Sequence, residues 1–232
     1  MRRTLIILTA LACLALVYSV AWYMQDATTP AKTNGENEVQ EEKRMSVATA
    51  IVSEETAEYV IDAQYPTFDN PAINNAIEKF INNAIAQFKV ETSEAPPLTS
   101  ETRYEFTSIF NGVYIGEDIM SARLIVSIYM GGAHPVSFVY GLNFDRATGR
   151  ELTQEDALRM LDMSLEQVSA EAISELNAQF DEGVFFVEGA VAKPENYSTF
   201  AIDEGSVTFI FQPYQVAPYA AGVREVSFPR VR

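Results

Sequence analysis

Between Phe211 and Gly222 the chain reads FQPYQVAPYAAG, and this stretch limits the fold more than any other. Pro213 and Pro218 each lack a backbone N–H, so an aromatic strand that reaches Phe211 cannot continue as a regular central strand through them. Tyr214 and Tyr219 are thereby placed on a stiff, irregular connection rather than in a sheet. Two readings follow: a proline-broken edge strand with its tyrosines tucked underneath, or a pre-ordered loop that presents them.

The rest of the chain supplies strands and a few helices. The alternation Ala57, Tyr59, Ile61, Ala63, Tyr65 predicts a half-buried strand ending at Pro66, with Asp62 facing solvent. Asn70-Pro71 supplies an N-cap and an N1 proline. Ile73, Ile77, Phe80, Ile81, Ala84, Ile85 and Phe88 then share one helical face, until Ala95-Pro96-Pro97 stops the helix. Tyr104 to Phe110 alternates. Ile119 to Met130 is a long apolar strand with Met120, Ala122, Leu124, Val126 and Ile128 on one face. Val136, Phe138, Tyr140, Leu142 and Phe144 form the next face, and the short 131–135 connection predicts antiparallel pairing. Thr153-x-x-Asp156 and Ser164-x-x-Gln167 are capping boxes that open two further helices. The second of these buries Leu165, Val168, Ala172, Leu176 and Phe180 and stops at Gly183. Two final strands meet at Glu204-Gly205, with Val207, Phe209 and Phe211 on one face, and Val223 to Phe228 closes the chain. The expected class is α+β, antiparallel sheets with a few packed helices.

Ahead of this domain, Thr4 to Met24 is a run of 21 residues without a charge, long enough to span a bilayer as a helix. Arg2 and Arg3 orient it with the remainder outside the cytoplasm, and Trp22 and Tyr23 fall where an interfacial belt lies. A cleavable signal peptide is the competitor, but no convincing small-x-small site follows between Ala21 and Ala31, so the anchor is favoured. Cys13, the only cysteine, lies within the run and excludes an intramolecular disulfide. The expected organisation is an anchor over 1–24, a polar tether over 25–47 and an extracytoplasmic domain over 48–232, with halves near 48–130 and 131–232.

Setting Arg2 and Arg3 aside leaves 14 basic against 32 acidic residues, a formal charge of −18 for the exported part. Such a field disfavours nucleic acid and anionic lipid and suits a cationic partner. His134 is the only histidine; a metal centre wants three or four ligands, and no G-x-S-x-G, phosphate loop or EF-hand is present. The sequence therefore points to no catalytic residue, no metal ligand and no cofactor. His134 reads as a loop residue braced by Gly131, Gly132 and Pro135.

Three elements in combination, Gly131-Gly132-Ala133-His134-Pro135, Phe144-Asp145-x-x-x-Gly149-x-x-Leu152 and the Pro-Tyr stretch, resemble a bacterial extracytoplasmic domain. That domain is found in RsiV-type anti-sigma factors, which sense lysozyme, and in the N-terminal region of PdaC-type peptidoglycan deacetylases. The resemblance runs from about Glu55 to Arg232. It implies a membrane-tethered, non-catalytic module that recognises an envelope component, either a cationic lysozyme-like protein or peptidoglycan. Only Met1 to Arg3 precede the apolar run, which departs from an anti-sigma factor's cytoplasmic segment, and no catalytic domain follows. The partner-contact residues expected are Tyr214, Tyr219, Pro213 and Pro218, with His134 and Tyr140 (and Tyr129 beside them) as a second group. A small envelope glycan hydrolase and a structural subunit of an envelope complex are the alternatives.

Overall fold

The computed structural model describes residues 46–96, 98, 102–181 and 183–231. The expected transmembrane anchor, and the tether up to residue 45, lie outside the described residues. No helix among the described residues is long and apolar enough to cross a membrane.

Two sheets and three α-helices make up this region. The first sheet has the order β1-β2-β3-β4-β5, from Ala48–Glu55, Tyr59–Thr67, Tyr104–Ile115, Ile119–Tyr129 and Val136–Asp145. One face is covered by α1, Pro71–Glu94. Asn70 opens α1 as foreseen, its side-chain oxygen accepting from Ala72 N–H, with Pro71 in the first turn. Ile73, Ile77 and Ile81 are fully buried against Ile61, Phe106 and Leu124. Each such side chain contributes about 1.5–3 kcal/mol by leaving water.

The expectation of antiparallel sheets needs one correction. β2 and β3 pair parallel, Tyr59 against Tyr104 and Ile61 against Phe106. The 24-residue helix between them provides the long crossover that a parallel pair requires. β2 also runs through Pro66, which pairs with Thr49 of β1, instead of ending there. β1, ATAIVSEE, sets its larger apolar residues side by side at Ile51 and Val52 instead of alternating them, so its sequence does not mark a half-buried strand.

β4 is buried on both faces. Met120, Ala122 and Leu124 face α1, while Ser121, fully buried, faces the second sheet. That sheet has the order β6-β7-β8, from Phe200–Ile202, Ser206–Phe211 and Arg224–Pro229. Its joint with the first sheet is polar and close. Ser121 Oγ donates to Asn143 Oδ1 at 2.7 Å and accepts from Ile202 N–H at 3.0 Å, and Asn143 Nδ2 donates to Phe200 O at 2.7 Å. Every buried polar group here has a partner, as a buried network requires. Gly141 permits the approach: a Cβ there would lie 1.6 Å from Phe200 O.

The other face of the second sheet packs on α2, Gln154–Leu161, and α3, Leu165–Ala178, through Val168, Ala172, Leu176, Phe209 and Phe211. Both capping boxes form. In the first, Asp156 also binds Arg150 and Arg159, and the Arg150 guanidinium holds its carboxyl well below the usual carboxylate range. α3 ends at Ala178, so Phe180 lies beyond it, stacked with Phe185.

Candidate functional site

β7 stops at Phe211 and β8 starts at Arg224, and Phe211 and Arg224 are cross-strand partners. The intervening residues form a loop held by two glutamines. Gln212 Oε1 accepts from Val139 N–H at 3.0 Å, and its Nε2 donates to Val139 O at 2.7 Å. The side-chain amide thus fills one position on the open edge of β5, satisfying a donor and an acceptor together. Gln215 Oε1 accepts from Gln212 N–H, and Gln215 Nε2 donates to Gly189 O and Asn196 O, each at 2.9 Å.

Between these glutamines, Gln215 N–H donates to Gln212 O at 3.0 Å, closing a β-turn with Pro213 and Tyr214 at its centre. Tyr214 has φ = +70°. Proline first and positive φ second define a type II turn, whose second central position favours glycine or asparagine. A tyrosine is held there instead, with 64% of its surface exposed. Left-handed backbone costs a non-glycine residue roughly 1–2 kcal/mol, and strained residues that persist cluster at sites with a task.

Tyr214 is the outer ring of a three-ring ladder. Its centroid lies 5.3 Å from Tyr219, and Tyr219 stacks on His134 at 4.5 Å and 17°. Tyr219 Oη donates to Pro135 O at 3.0 Å. His134 Nδ1 lies 2.8 Å from the same carbonyl, which can only accept, so the tautomer there is Nδ1–H. Gly131 and Gly132, at φ = +85° and +109°, turn this loop, and Tyr129 Oη braces it through Gly132 O. The two loops singled out in the sequence are thus one surface, comprising Tyr214, Tyr219 and His134 with Pro213 and Pro218 as stiffeners.

Tyr140 is placed elsewhere. It packs edge-on against Phe80 of α1, with centroids 4.9 Å apart, and burial pushes its phenol pKa up. It supports the core and does not join the ladder. The Asp145-to-Leu152 element is likewise a structural turn. Asp145 Oδ1 accepts from Thr148 N–H and Oγ1–H, and Asn70 Nδ2 donates to Arg146 O. Gly149, at φ = +72°, lets Ala72 approach. Among the described residues no group of three or more His, Cys, Asp or Glu side chains could hold a metal ion. Gln212 and Gln215 were not among the residues anticipated, although their positions flanking Pro213-Tyr214 are the signal that marks them.

Taken together, two sheets joined face to face, with an aromatic ladder on a braced turn, define an α+β module whose prominent surface is a rigid aromatic loop rather than a cluster of titratable groups. Comparison with known proteins divides the chain in the same order. The family described as "Deacetylase PdaC" matches residues 52–137, and the family described as "Protein of unknown function (DUF3298)" matches residues 153–230. The chain therefore carries a PdaC-like part followed by a DUF3298-like part.

Among individual relatives, the chain is 25% identical over 189 residues to the peptidoglycan-N-acetylmuramic acid deacetylase PdaC of Bacillus subtilis. That match covers 80% of this chain and 40% of PdaC, so the chain spans well under half of that relative. It is 26% identical over 180 residues to the immunogenic protein MPT64 of Mycobacterium tuberculosis, covering 74% of this chain and 75% of that protein. It is 23% identical over 175 residues to the esterase Rv3036c of the same organism, with 74% and 75% covered. A crystal structure of a DUF3298 family protein from Pseudomonas aeruginosa shares the fold, with a TM-score of 0.54 and 17% identity over 80% of this chain and 89% of that one.

Proposed function

We propose that this protein is a binding module of the bacterial cell envelope that recognises peptidoglycan through the Tyr214–Tyr219–His134 ladder and performs no catalysis itself. The observation that carries the reading is Tyr214, an exposed aromatic ring held at φ = +70° where the turn prefers glycine. An exposed ring on a pre-ordered loop offers a large contact area at little entropic cost on binding. The negative faces of stacked rings attract the polarised C–H groups on the flat side of a pyranose, by the same quadrupole that governs aromatic pairing. PdaC, by its name, acts on peptidoglycan, which supports that polymer as the ligand. The anchor at 1–24 and placement outside the cytoplasm are part of the same proposal and rest on the uncharged run and its flanking arginines.

A lysozyme-like protein is the competing ligand, and the formal charge of −18 beyond Arg3 favours it. A hydrolase is the competing activity, since two relatives are named as a deacetylase and an esterase. Against a His134-based reaction stands its company: its contacts are the Tyr219 ring and Pro135 O, and no carboxylate or serine hydroxyl among the described residues is hydrogen-bonded to it.

The test is co-sedimentation of the full chain with purified peptidoglycan, beside binding to lysozyme and to cytochrome c over a range of salt. Saturable binding to peptidoglycan that survives 0.15 M salt supports the reading. Binding to both basic proteins alike, lost with salt, would reduce the interaction to charge attraction. Release of acetate or reducing ends above a boiled control, abolished in His134→Ala, would replace the binding module with an enzyme.

A further inference from the structure

Arg224 stands at the stem of the same loop. Of the seven described arginines, six donate to a carboxylate or a carbonyl: Arg103, Arg123, Arg146, Arg150, Arg159 and Arg230. Arg224 alone has no such acceptor among the described residues, and its Nε is buried without a partner. Its guanidinium lies over the face of Phe180, 4.8 Å from the ring centroid. Phe180 in turn stacks on Phe185, whose neighbour Phe186 is 37% exposed and donates its N–H to Val216 O in the loop.

An unpaired guanidinium stands out in a chain with 32 acidic residues and 16 basic ones, where carboxylates are abundant and the other described arginines each have an oxygen acceptor. The Phe180 ring holds the guanidinium over its face, and the two Nη groups, unlike the buried Nε, remain to meet a ligand, since they donate to no acceptor among the described residues. That is the arrangement in which arginine accepts a planar anion through two parallel hydrogen bonds. A strongly acidic protein that must hold an anionic ligand needs such a fixed cation, because its overall field repels that ligand.

We infer that Arg224, seated on Phe180, is a carboxylate-binding subsite of the ligand surface. The ligand would then be a glycan bearing free carboxylates, whose acid group meets Arg224 while its sugar faces meet the tyrosines. The inference rests on the proposed recognition of peptidoglycan, whose lactyl-linked peptides end in carboxylates.

The experiment uses the full chain and three ligand preparations: native peptidoglycan, peptidoglycan whose carboxylates are amidated by carbodiimide and ammonia, and peptidoglycan stripped of phosphate polymers by acid. Wild type should bind the amidated material about tenfold more weakly than the native, and the phosphate-stripped material as well as the native. Arg224→Gln should bind native material about tenfold more weakly than wild type and be indifferent to amidation, whereas Arg224→Lys should recover part of the loss. Because amidation leaves the protein untouched, its effect on wild type stands even where a variant unfolds. Wild-type binding that ignores amidation, or falls only when phosphate is stripped, overturns the carboxylate subsite while leaving peptidoglycan recognition intact. Failure of wild type to bind any preparation overturns the recognition itself.

Discussion

Replacing Tyr214 by glycine and by alanine separates backbone strain from side-chain contact. Both variants lose the ring and its 5.3 Å contact with Tyr219, an aromatic pairing worth about 0.5–1.5 kcal/mol, so that loss cancels between them. What remains is the backbone at φ = +70°. Alanine there keeps the steric cost of left-handed geometry, roughly 1–2 kcal/mol, and glycine removes it. Glycine in turn gives the unfolded chain more freedom, a penalty of roughly 0.5–1 kcal/mol. The net is a Tyr214→Gly variant more stable than Tyr214→Ala by about 0.5–1 kcal/mol. In a chain of this length that separates the melting midpoints by about 1–4 °C. Urea unfolding followed by far-ultraviolet circular dichroism measures the difference, with equal m-values showing that the same surface is exposed in both. At an ordinary negative φ the order reverses, because glycine then brings only its entropic penalty. An alanine variant equal to or more stable than the glycine variant would therefore refute the strained turn, and with it the argument that Tyr214 is held there for a task.

Other outcomes follow from the same geometry. Tyr219→Ala, measured by binding to peptidoglycan, weakens the interaction by about 1–3 kcal/mol if that ring is a hot spot; a collapse in thermal stability instead of affinity would make it a structural residue. Gly141→Ala forces a methyl against Phe200 O and destabilises by about 3 kcal/mol, at the upper end of overpacking costs; wild-type stability in chemical denaturation would show that the sheets are not so close. Gln212→Ala removes both hydrogen bonds to Val139, so the Val139 amide should exchange faster with solvent by hydrogen-exchange NMR. Asp156 has a depressed pKa in the folded state, so its contribution is complete above the unfolded-state value of about 3.9 and fades as pH falls through the lower folded value. Asp156→Asn should lose about 1–3 kcal/mol at pH 7 and show a shallower loss of stability below pH 4 than wild type.

Local chemistry made much of this fold legible. Asn70-Pro71, Thr153-x-x-Asp156 and Ser164-x-x-Gln167 are contiguous signals, and each opens a helix as its residues require. The β4–β5 pair was readable because a short connection joins two alternating runs. The parallel β2–β3 pair was not, because nothing in either strand records which neighbour lies across a long helix. β1 escaped because an edge strand with Ile51 63% exposed has no buried run to reveal it. In the site, the prolines announced an irregular loop at Tyr214 and Tyr219, and the paired glycines announced a tight turn before His134. The stacking of Tyr219 on His134 joins residues 85 positions apart, which only the joint between the two sheets brings together. Tyr140 was grouped with them as an aromatic of the second loop region. Its place in the alternation with Leu142 and Phe144 was the truer guide, since all three face α1. Arg224 carried no sequence signal, because its distinction is the acceptor it lacks.

The proposed recognition surface is the loop following β7 together with the 131–135 loop. Backbone NMR of the protein titrated with soluble peptidoglycan fragments tests it most directly. The largest shift changes are expected at residues 131–135, 212–222 and 224, with the amides of α1 and of β1 to β3 unmoved. Changes centred on the face of β1 to β3 opposite α1, or spread evenly over the molecule, would contradict it.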